Sequence, residues 1–214
     1  MAKIGIFGGT FDPIHIGHLR VAQEFATAFG LDQVLMMVAG IPPHREPPTA
    51  SPEDRLRMVQ LAVGNCPSLT ASDIELHREG PSFTLDTVKE VSKAAENSLV
   101  WMALGGDAYS LINSWYRSED VLAQVHLVVL TRPGYPVDLM TPLPKNLSER
   151  YTPAGGVYLH DSGGSLRTLQ VSPVDVSSSM IRKAVSGGHS IRNLVTDEVL
   201  QYIQQKGLYR PQKV

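Results

Sequence analysis

The chain has 214 residues, of which 43% are hydrophobic, and a formal net charge of −2 at pH 7. This length and composition predict one domain with a substantial core, and the near-neutral charge argues against nucleic acid or an anionic membrane surface as the main partner. The single cysteine, Cys66, excludes an internal disulfide framework. With no apolar run near the roughly 20 residues of a membrane span and no signal-peptide region at the start, we expect a cytoplasmic protein.

Short apolar segments alternate with segments of helical periodicity along the chain. Strands are predicted at 4–7, 34–38, 99–104 and 126–131, and helices at 15–29, 52–64, 85–96 and 196–206. This alternation predicts an α/β fold, a Rossmann-like, doubly wound and mostly parallel sheet with helices on both faces. We expect a single domain over residues 1–214, with a C-terminal helical portion from about residue 177. The segment 132–164 is rich in Pro and Gly, which predicts a long loop.

The segment GGTFDPIHIGH, from Gly8 to His18, follows the first predicted strand and opens the first helix. A helix that begins near His15 places His15 and His18 on one face, and Gly17 between them would leave the backbone open to a ligand. Helix-start amides and two imidazoles would then point at one place, which suits a polyphosphate. On this segment alone, an ordinary glycine turn beside a capped helix is an open alternative.

A second candidate phosphate site lies near the end of the chain. The residues Val174 to Val176 predict a strand that leads into a serine-rich turn and then a helix carrying Arg182. Amides, hydroxyls and a guanidinium would meet there. A serine N-cap with a solvated basic helix face is the alternative.

These segments follow successive predicted strands. Gly8 follows the first strand, 40–45 the second, 105–107 a later one and Arg132 the next. Since ligands bind outside the carboxyl ends of strands in an open parallel sheet, we expect one site at this edge. The fingerprint GxGxxG and the P-loop pattern are absent after these strands, which argues against an ordinary dehydrogenase and a P-loop ATPase.

GGTFDPIHIGH resembles the HxGH signature of the nucleotidylyltransferase superfamily. Within it the chain resembles the bacterial nicotinate-mononucleotide adenylyltransferases, through PPHR at 42–45, PSFT at 81–84, GGD at 105–107, SWY at 114–116 and VSSSMIR at 176–182. The resemblance extends to Leu208-Tyr209, nearly the whole chain. It implies adenylyl transfer from ATP to nicotinate mononucleotide in NAD biosynthesis, with Mg²⁺ carried by ATP and no metal site on the protein.

The resemblance also assigns residues. It implies catalytic roles for His15, His18 and Arg182. It implies ATP contacts for Gly8, Gly9, Thr10, His18, Gly105, Asp107, Arg132, Ser177, Ser178, Ile181 and Arg182, and acceptor-substrate contacts for Phe11, His44, Arg45, Thr84, Trp115 and Tyr116.

On the acceptor side, the resemblance implies that Trp115 stacks on the pyridine ring and that the amides of Thr84 and Tyr116 hold its carboxylate. From the sequence, Ser82 or Thr84 could cap the helix predicted from Leu85. One departure is Ala39-Gly40, where the family commonly has Pro-Asn, so a contact of that asparagine is lost or replaced by water.

Three alternatives are weighed against this interpretation. They are a phosphopantetheine adenylyltransferase, which shares the HxGH core, a non-catalytic nucleotide sensor, and a fragment of a class I aminoacyl-tRNA synthetase. The joint presence of PPHR, PSFT and WY argues against the first, and the intact His15, His18 and Arg182 argue against the second. The third is disfavoured because the chain has no Lys-Met-Ser-Lys-Ser-like loop and no room for an anticodon domain. The remaining histidines, at 77, 126, 160 and 189, have no motif context and are interpreted as structural. The oligomeric state stays open.

Overall fold

A twisted sheet organises the computed structural model, which describes residues 1–40, 47–95 and 98–211. In that part of the chain the sheet has eight strands, in the order β3-β2-β1-β4-β5-β8-β7-β6. The strands are β1 Lys3–Gly9, β2 Gln33–Val38, β3 Leu69–Ser72, β4 Leu99–Gly105, β5 His126–Thr131, β6 Tyr151–Ala154, β7 Val157–His160 and β8 Ser165–Gln170.

Helices lie in the connections between strands and after the last strand. They are α1 Ile16–Phe29, α2 Pro52–Val63, α3 Thr84–Ala94, α4 Gly106–Tyr109, α5 Ser118–Gln124, α6 Lys145–Ser148, α7 Ser178–Ser186 and α8 Asp197–Lys206, with short 3₁₀ turns at Ile74–His77 and Ile112–Ser114. The predicted helix signals are present in the structure. Ser51 caps α2, Pro52 occupies its first turn, and Gly207 ends α8 in the left-handed conformation.

Parallel pairing extends from β3 across the sheet to β8. β1 lies between β2 and β4, β4 pairs with β5, and β5 with β8, while β6 and β7 add an antiparallel edge. After β3 the chain returns to the other side of β1, so the strand order reverses between the neighbours β1 and β4, where a doubly wound fold opens a crevice. The predicted fold class is confirmed.

Both faces of the sheet are covered, because successive strand side chains point to opposite sides. Phe7 packs in the cluster with residues of α1, α2 and α8, whereas its neighbour Ile6 packs with residues of α3 and α5. The alternation repeats at Met36 and Met37.

Two sequence predictions about strands and loops were wrong. The segment 132–164 contains α6 and the β6-β7 hairpin, which turns at Gly155-Gly156 with φ of 59° and 84°. Such a turn suits a hairpin, so its glycines join strands rather than extend a loop. The strand predicted at 174–176 is also not formed, because the last ladder bond is Val171 N to Thr131 O and the Ser172 amide donates to Glu24 Oε2.

Candidate functional site

A cavity of about 1380 Å³ opens at the carboxyl ends of the parallel strands. Its wall includes the ends of β1, β4 and β5, the starts of α3 and α7, and residues 135–142. A large cleft therefore lies at the edge of the sheet where the sequence predicts the site.

The glycines after β1 and β4 shape this cleft in different ways. A Cβ at Gly8 or Gly105 would meet no protein atom within 4 Å, so the backbone there is open to a ligand. A Cβ at Gly9 would lie 2.7 Å from the ring of Phe11, so Gly9 makes room for that ring. Phe11 has a φ of 50°, is buried, and meets His18 edge to face with centroids 5.0 Å apart.

His15 and His18 form a stacked pair at the start of α1, with ring centroids 3.7 Å apart. Each ring accepts a backbone hydrogen bond at Nδ1: the His15 amide donates to His18 at 3.3 Å and the His18 amide to His15 at 3.4 Å. A neutral imidazole that accepts at Nδ1 carries its proton at Nε2. The capping box therefore fixes the tautomer of both rings.

Burial also fixes their charge. It lowers the pKa of His15 to about 4. Burial, and then the proximity of His15, lowers the pKa of His18 to about 3. Both rings are neutral at pH 7, so they act as Nε2–H donors rather than as cations. His18 lines the cavity, whereas His15 is 7% exposed and lies behind it.

Gly17 has a different role from the one expected. A Cβ there would lie 3.0 Å from His15 Nδ1 and 3.0 Å from Val176 Cγ1. Its missing side chain makes room for the His15 ring and for the segment before α7, not for a ligand.

Hydrogen bonds connect the serine-rich turn and α7 to the segment Gly8 to His18. Ser178 Oγ donates to Pro13 O at 2.8 Å, and Arg182 Nη1 donates to Asp12 O at 2.7 Å. Both side chains line the cavity. The two candidate phosphate segments therefore meet in one place although they lie far apart in the sequence.

Thr84 and Trp115, which are expected to contact the acceptor substrate, both line the cavity. The predicted side-chain cap of α3 was wrong. Phe83 is the N-cap residue and makes no such bond, while Ser82 Oγ donates to Glu75 O at 3.3 Å. Tyr116 is 53% exposed and its ring packs on Phe83, 4.7 Å between centroids.

Comparison with known proteins shows the family of this chain. Residues 6–184 match the model of the cytidylyltransferase-like family. The chain is 39% identical over 212 residues to a "Probable nicotinate-nucleotide adenylyltransferase" of Pseudomonas fluorescens, covering 97% of each chain. A relative of the same name from Trichlorobacter lovleyi is 40% identical over 214 residues, covering 98% of this chain and 100% of its own. The chain belongs to the nicotinate-nucleotide adenylyltransferase family.

A solved structure shares the fold. The Plasmodium falciparum nicotinic acid mononucleotide adenylyltransferase complexed with NaAD superposes with a TM-score of 0.73 and 19% identity, covering 98% of each chain. At that identity the likeness shows the fold alone.

Most residues that the family resemblance implies line the cavity in this member. They are Gly8, Gly9, Thr10, Phe11, His18, Thr84, Gly105, Asp107, Trp115, Arg132, Ser178 and Arg182. Four more do not line it: His15 lies behind His18, Ser177 caps α7 through the Met180 amide, Ile181 is fully buried in the core, and Tyr116 lies outward. His44 and Arg45 lie outside the described residues.

Glu75 is a cavity residue that the sequence analysis missed. Its Oε1 accepts from Thr87 Oγ1 at 2.7 Å, and its Oε2 accepts from the Gly40 amide at 3.4 Å. A Cβ at Gly40 would lie 2.5 Å from Glu75 O. Glycine in place of the family's usual asparagine is therefore needed for this close packing.

Arg55 and Asp12 were also missed as organising residues. Arg55 is 1% exposed, and its Nη1 donates to Thr10 O at 2.8 Å and Ala39 O at 2.9 Å. A signal for Arg55 was available, since it occupies the apolar face of α2 with Met58, Val59 and Ala62.

Three of the four histidines interpreted as structural have ordinary side-chain partners. His77 pairs with Asp73 at 3.0 Å, His126 with Ser165 Oγ at 3.0 Å, and His160 with Ser162 Oγ at 2.6 Å. No helix within 1–40, 47–95 and 98–211 has the length and apolar character required to cross a membrane.

Proposed function

We propose that this chain transfers the adenylyl group of ATP to the phosphate of nicotinate mononucleotide, giving nicotinate adenine dinucleotide and pyrophosphate. The observation that carries the proposal is the junction of Ser178 and Arg182 with the carbonyls of Pro13 and Asp12. It joins two anion-binding segments in a cavity that also reaches Thr84 and Trp115. The names of relatives about 40% identical to this chain agree with it.

In this reaction the acceptor phosphate is the nucleophile. One of its oxygens forms a bond to the α-phosphorus of ATP while the bond from that phosphorus to the bridging oxygen of pyrophosphate breaks. The protein needs no nucleophilic side chain, and catalysis comes from alignment and from stabilising the charge on the phosphate oxygens.

The site residues fit these tasks. The neutral Nε2–H of His18 donates a hydrogen bond to a phosphate oxygen, and the Arg182 guanidinium supplies the positive charge that the neutral histidines lack. The open backbone at Gly8 and Gly105 allows the nucleotide to approach closely. Thr10 after β1, Asp107 after β4 and Arg132 after β5 would contact ATP.

On the acceptor side we assign the pyridine ring to Trp115 and its carboxylate to the amides of Thr84 and Tyr116. His44 and Arg45 would contact the acceptor phosphate. His15 acts from behind His18, because it orients that ring through the reciprocal Nδ1 bonds.

Mg²⁺ fits this site as an ion carried by ATP. Among the residues that the structure describes, no group of three or more His, Cys, Asp or Glu could hold a metal. The phosphates would be its ligands, and it would neutralise charge on the leaving pyrophosphate. The domain extent, residues 1–214 with a helical portion from about 177, and a cytoplasmic location remain predictions.

A pyrophosphate-release assay tests the proposal with ATP, Mg²⁺ and three acceptors: nicotinate mononucleotide, nicotinamide mononucleotide and phosphopantetheine. We expect release with nicotinate mononucleotide, and nicotinate adenine dinucleotide as product by mass spectrometry. Release only with phosphopantetheine, or binding of ATP without turnover of any acceptor, would contradict the proposed function.

A further inference from the structure

We propose that Tyr209 is a positioning residue for adenylyl transfer: its hydroxyl holds the Asp12 carboxylate so that Arg182 stays available to phosphate. This inference rests on the proposed function for its catalytic readout. Tyr209 lies beyond α8, far in sequence from the HxGH segment; the family resemblance reaches it but assigns it no role, and it is not part of the cavity wall.

The Asp12 carboxylate is buried, with 4% of the residue exposed, and it accepts hydrogen bonds from other segments of the chain. The Thr49 amide donates to Oδ2 at 2.8 Å, and the Ala50 amide donates to Oδ1 at 3.0 Å. The Tyr209 hydroxyl donates to the same Oδ1 at 2.8 Å. Asp12 thereby connects the HxGH segment, the residues before α2 and the end of the chain.

Arg182 contacts the same residue from the cavity side. Its Nη1 donates to the Asp12 carbonyl at 2.7 Å, and lies 3.7 Å from Asp12 Oδ2. The first contact is a hydrogen bond, while the second is a loose ion pair that is too long for one. The guanidinium is therefore hydrogen-bonded to a neutral carbonyl, and the carboxylate attracts it only weakly.

The Tyr209 hydroxyl determines how strongly that carboxylate attracts Arg182. Hydrogen bonds to a carboxylate stabilise its charge. Without the hydroxyl, Oδ1 keeps the Ala50 amide as its one donor among the described residues, and the carboxylate gains more from closing the 3.7 Å gap to the guanidinium. A tight carboxylate pair would occupy the donors that Arg182 otherwise offers to phosphate.

The backbone at Tyr209 agrees with a fixed position. Its φ is 62°, in the left-handed region that a tyrosine rarely adopts, and the residue is 9% exposed. Burial and the neighbouring Asp12 raise the pKa of its hydroxyl, so the group remains a protonated donor over the working pH range.

The chain offers a matched control in Tyr202. Its hydroxyl donates to Asp54 Oδ1 at 2.8 Å, the same kind of bond at the same length, made from α8 to α2. Neither Tyr202 nor Asp54 is among the cavity residues. Tyr202→Phe therefore reports what the loss of one such bond does to stability alone.

The test compares Tyr209→Phe and Tyr202→Phe in the pyrophosphate-release assay, with ATP varied at saturating nicotinate mononucleotide. Both variants are assayed well below their Tm, with the fold checked by circular dichroism. For Tyr209→Phe we expect kcat to fall about tenfold, which corresponds to about 1.4 kcal/mol, with a raised KM for ATP and an unchanged KM for the acceptor. Tyr202→Phe should lower Tm similarly and keep kcat within about twofold of wild type.

A double-mutant cycle identifies the route through Arg182. In the Arg182→Ala background no guanidinium remains for Asp12 to attract, so adding Tyr209→Phe should change kcat by less than about twofold. An equally large loss in that background, or a Tyr209→Phe enzyme with the kinetics of Tyr202→Phe, would overturn the proposal.

Binding of a non-hydrolysable ATP analogue, measured by calorimetry, gives a readout that needs no acceptor. We expect weaker binding for Tyr209→Phe and wild-type binding for Tyr202→Phe. If the wild type bound the analogue but used no acceptor, the proposed function would fail, and the two affinities would still decide the role of Tyr209. Equal affinities would reject it.

Discussion

The two histidines of the first motif work as a neutral pair in this protein. A pair of imidazolium cations would attract phosphate strongly, but burial lowers both pKa values to about 4 and about 3. The site instead obtains a fixed Nε2–H donor from His18, with His15 as its support. Two guanidinium groups in the cavity wall, those of Arg132 and of Arg182 on α7, carry positive charge beside it.

Replacement of His18 by alanine tests the donor role. We expect turnover to fall roughly 100- to 1,000-fold, the range for removing one preorganised donor to transition-state charge. Steady-state kinetics on a variant with wild-type circular dichroism measures it. Near-normal turnover would refute the assignment.

The depressed histidine pKa values also predict how stability depends on pH. An unfolded histidine takes up a proton near pH 6.5, but His15 and His18 do so only near pH 4 and pH 3 in the folded state. Between these values the unfolded state binds more protons, so the free energy of unfolding falls as the pH falls from about 6.5 towards 4.

Urea denaturation at pH 7 and pH 5 measures this loss. Each histidine contributes at most about 2 kcal/mol over that interval. His126 and His160, whose pKa values burial also lowers, act in the same direction. His18→Gln should reduce the difference between the two pH values, and an unchanged difference would contradict the burial of its ring.

At the scale of elements, three segments meet at Glu75 in the wall of the proposed acceptor side. Its carboxylate joins the end of β2, through Gly40, to α3, through Thr87. Arg78 extends the network, since its Nη1 donates to Thr87 Oγ1 at 2.7 Å and its Nη2 pairs with Glu90 at 2.8 Å. An acidic group thus lies in the wall beside the proposed carboxylate site.

This placement predicts the selectivity for the base. Helix-start amides at α3 favour a carboxylate, so we expect kcat/KM at least about tenfold higher for nicotinate than for nicotinamide mononucleotide, about 1.4 kcal/mol. Glu75 opposes that preference by charge repulsion. Glu75→Gln should therefore raise the ratio by about threefold, the scale of one solvent-screened charge interaction.

Glu90→Gln is the matched control for this experiment. It removes a carboxylate from the same network, but one that is exposed and outside the cavity wall. Its selectivity ratio should equal that of the wild type. A ratio that falls in Glu75→Gln, or rises equally in both variants, would contradict a direct effect of Glu75 on the base.

At the scale of the whole molecule, the sequence predicts the parallel strands that carry the site better than those at its periphery. β1, β2, β4 and β5 are short apolar runs buried on both faces, so hydrophobicity alone locates them. β8 reads as polar because Arg167 lies within it, yet that guanidinium packs over the Trp101 ring, 4.9 Å from its centroid. Such a tertiary contact has no local signal.

The site shows the same distinction between features with a local sequence signal and features that depend on tertiary contacts. Residues inside contiguous motifs, such as Gly8, His18 and Arg182, are recognisable because ligand contacts constrain local patterns. Asp12, Arg55 and Glu75 act through hydrogen bonds to backbone or side chains of distant segments. Sequence spacing does not record such partners, so only the folded structure reveals them.

The hydrogen bonds between α7 and the HxGH segment should affect how quickly the protein becomes active when it folds. The bonds from Ser178 to Pro13 and from Arg182 to Asp12 span 165 and 170 residues of sequence. Contacts of such separation are slow to form, because a long loop must close before they contribute. During refolding from denaturant, recovery of pyrophosphate release should therefore lag behind formation of the β1-β2 and β4-β5 sheet.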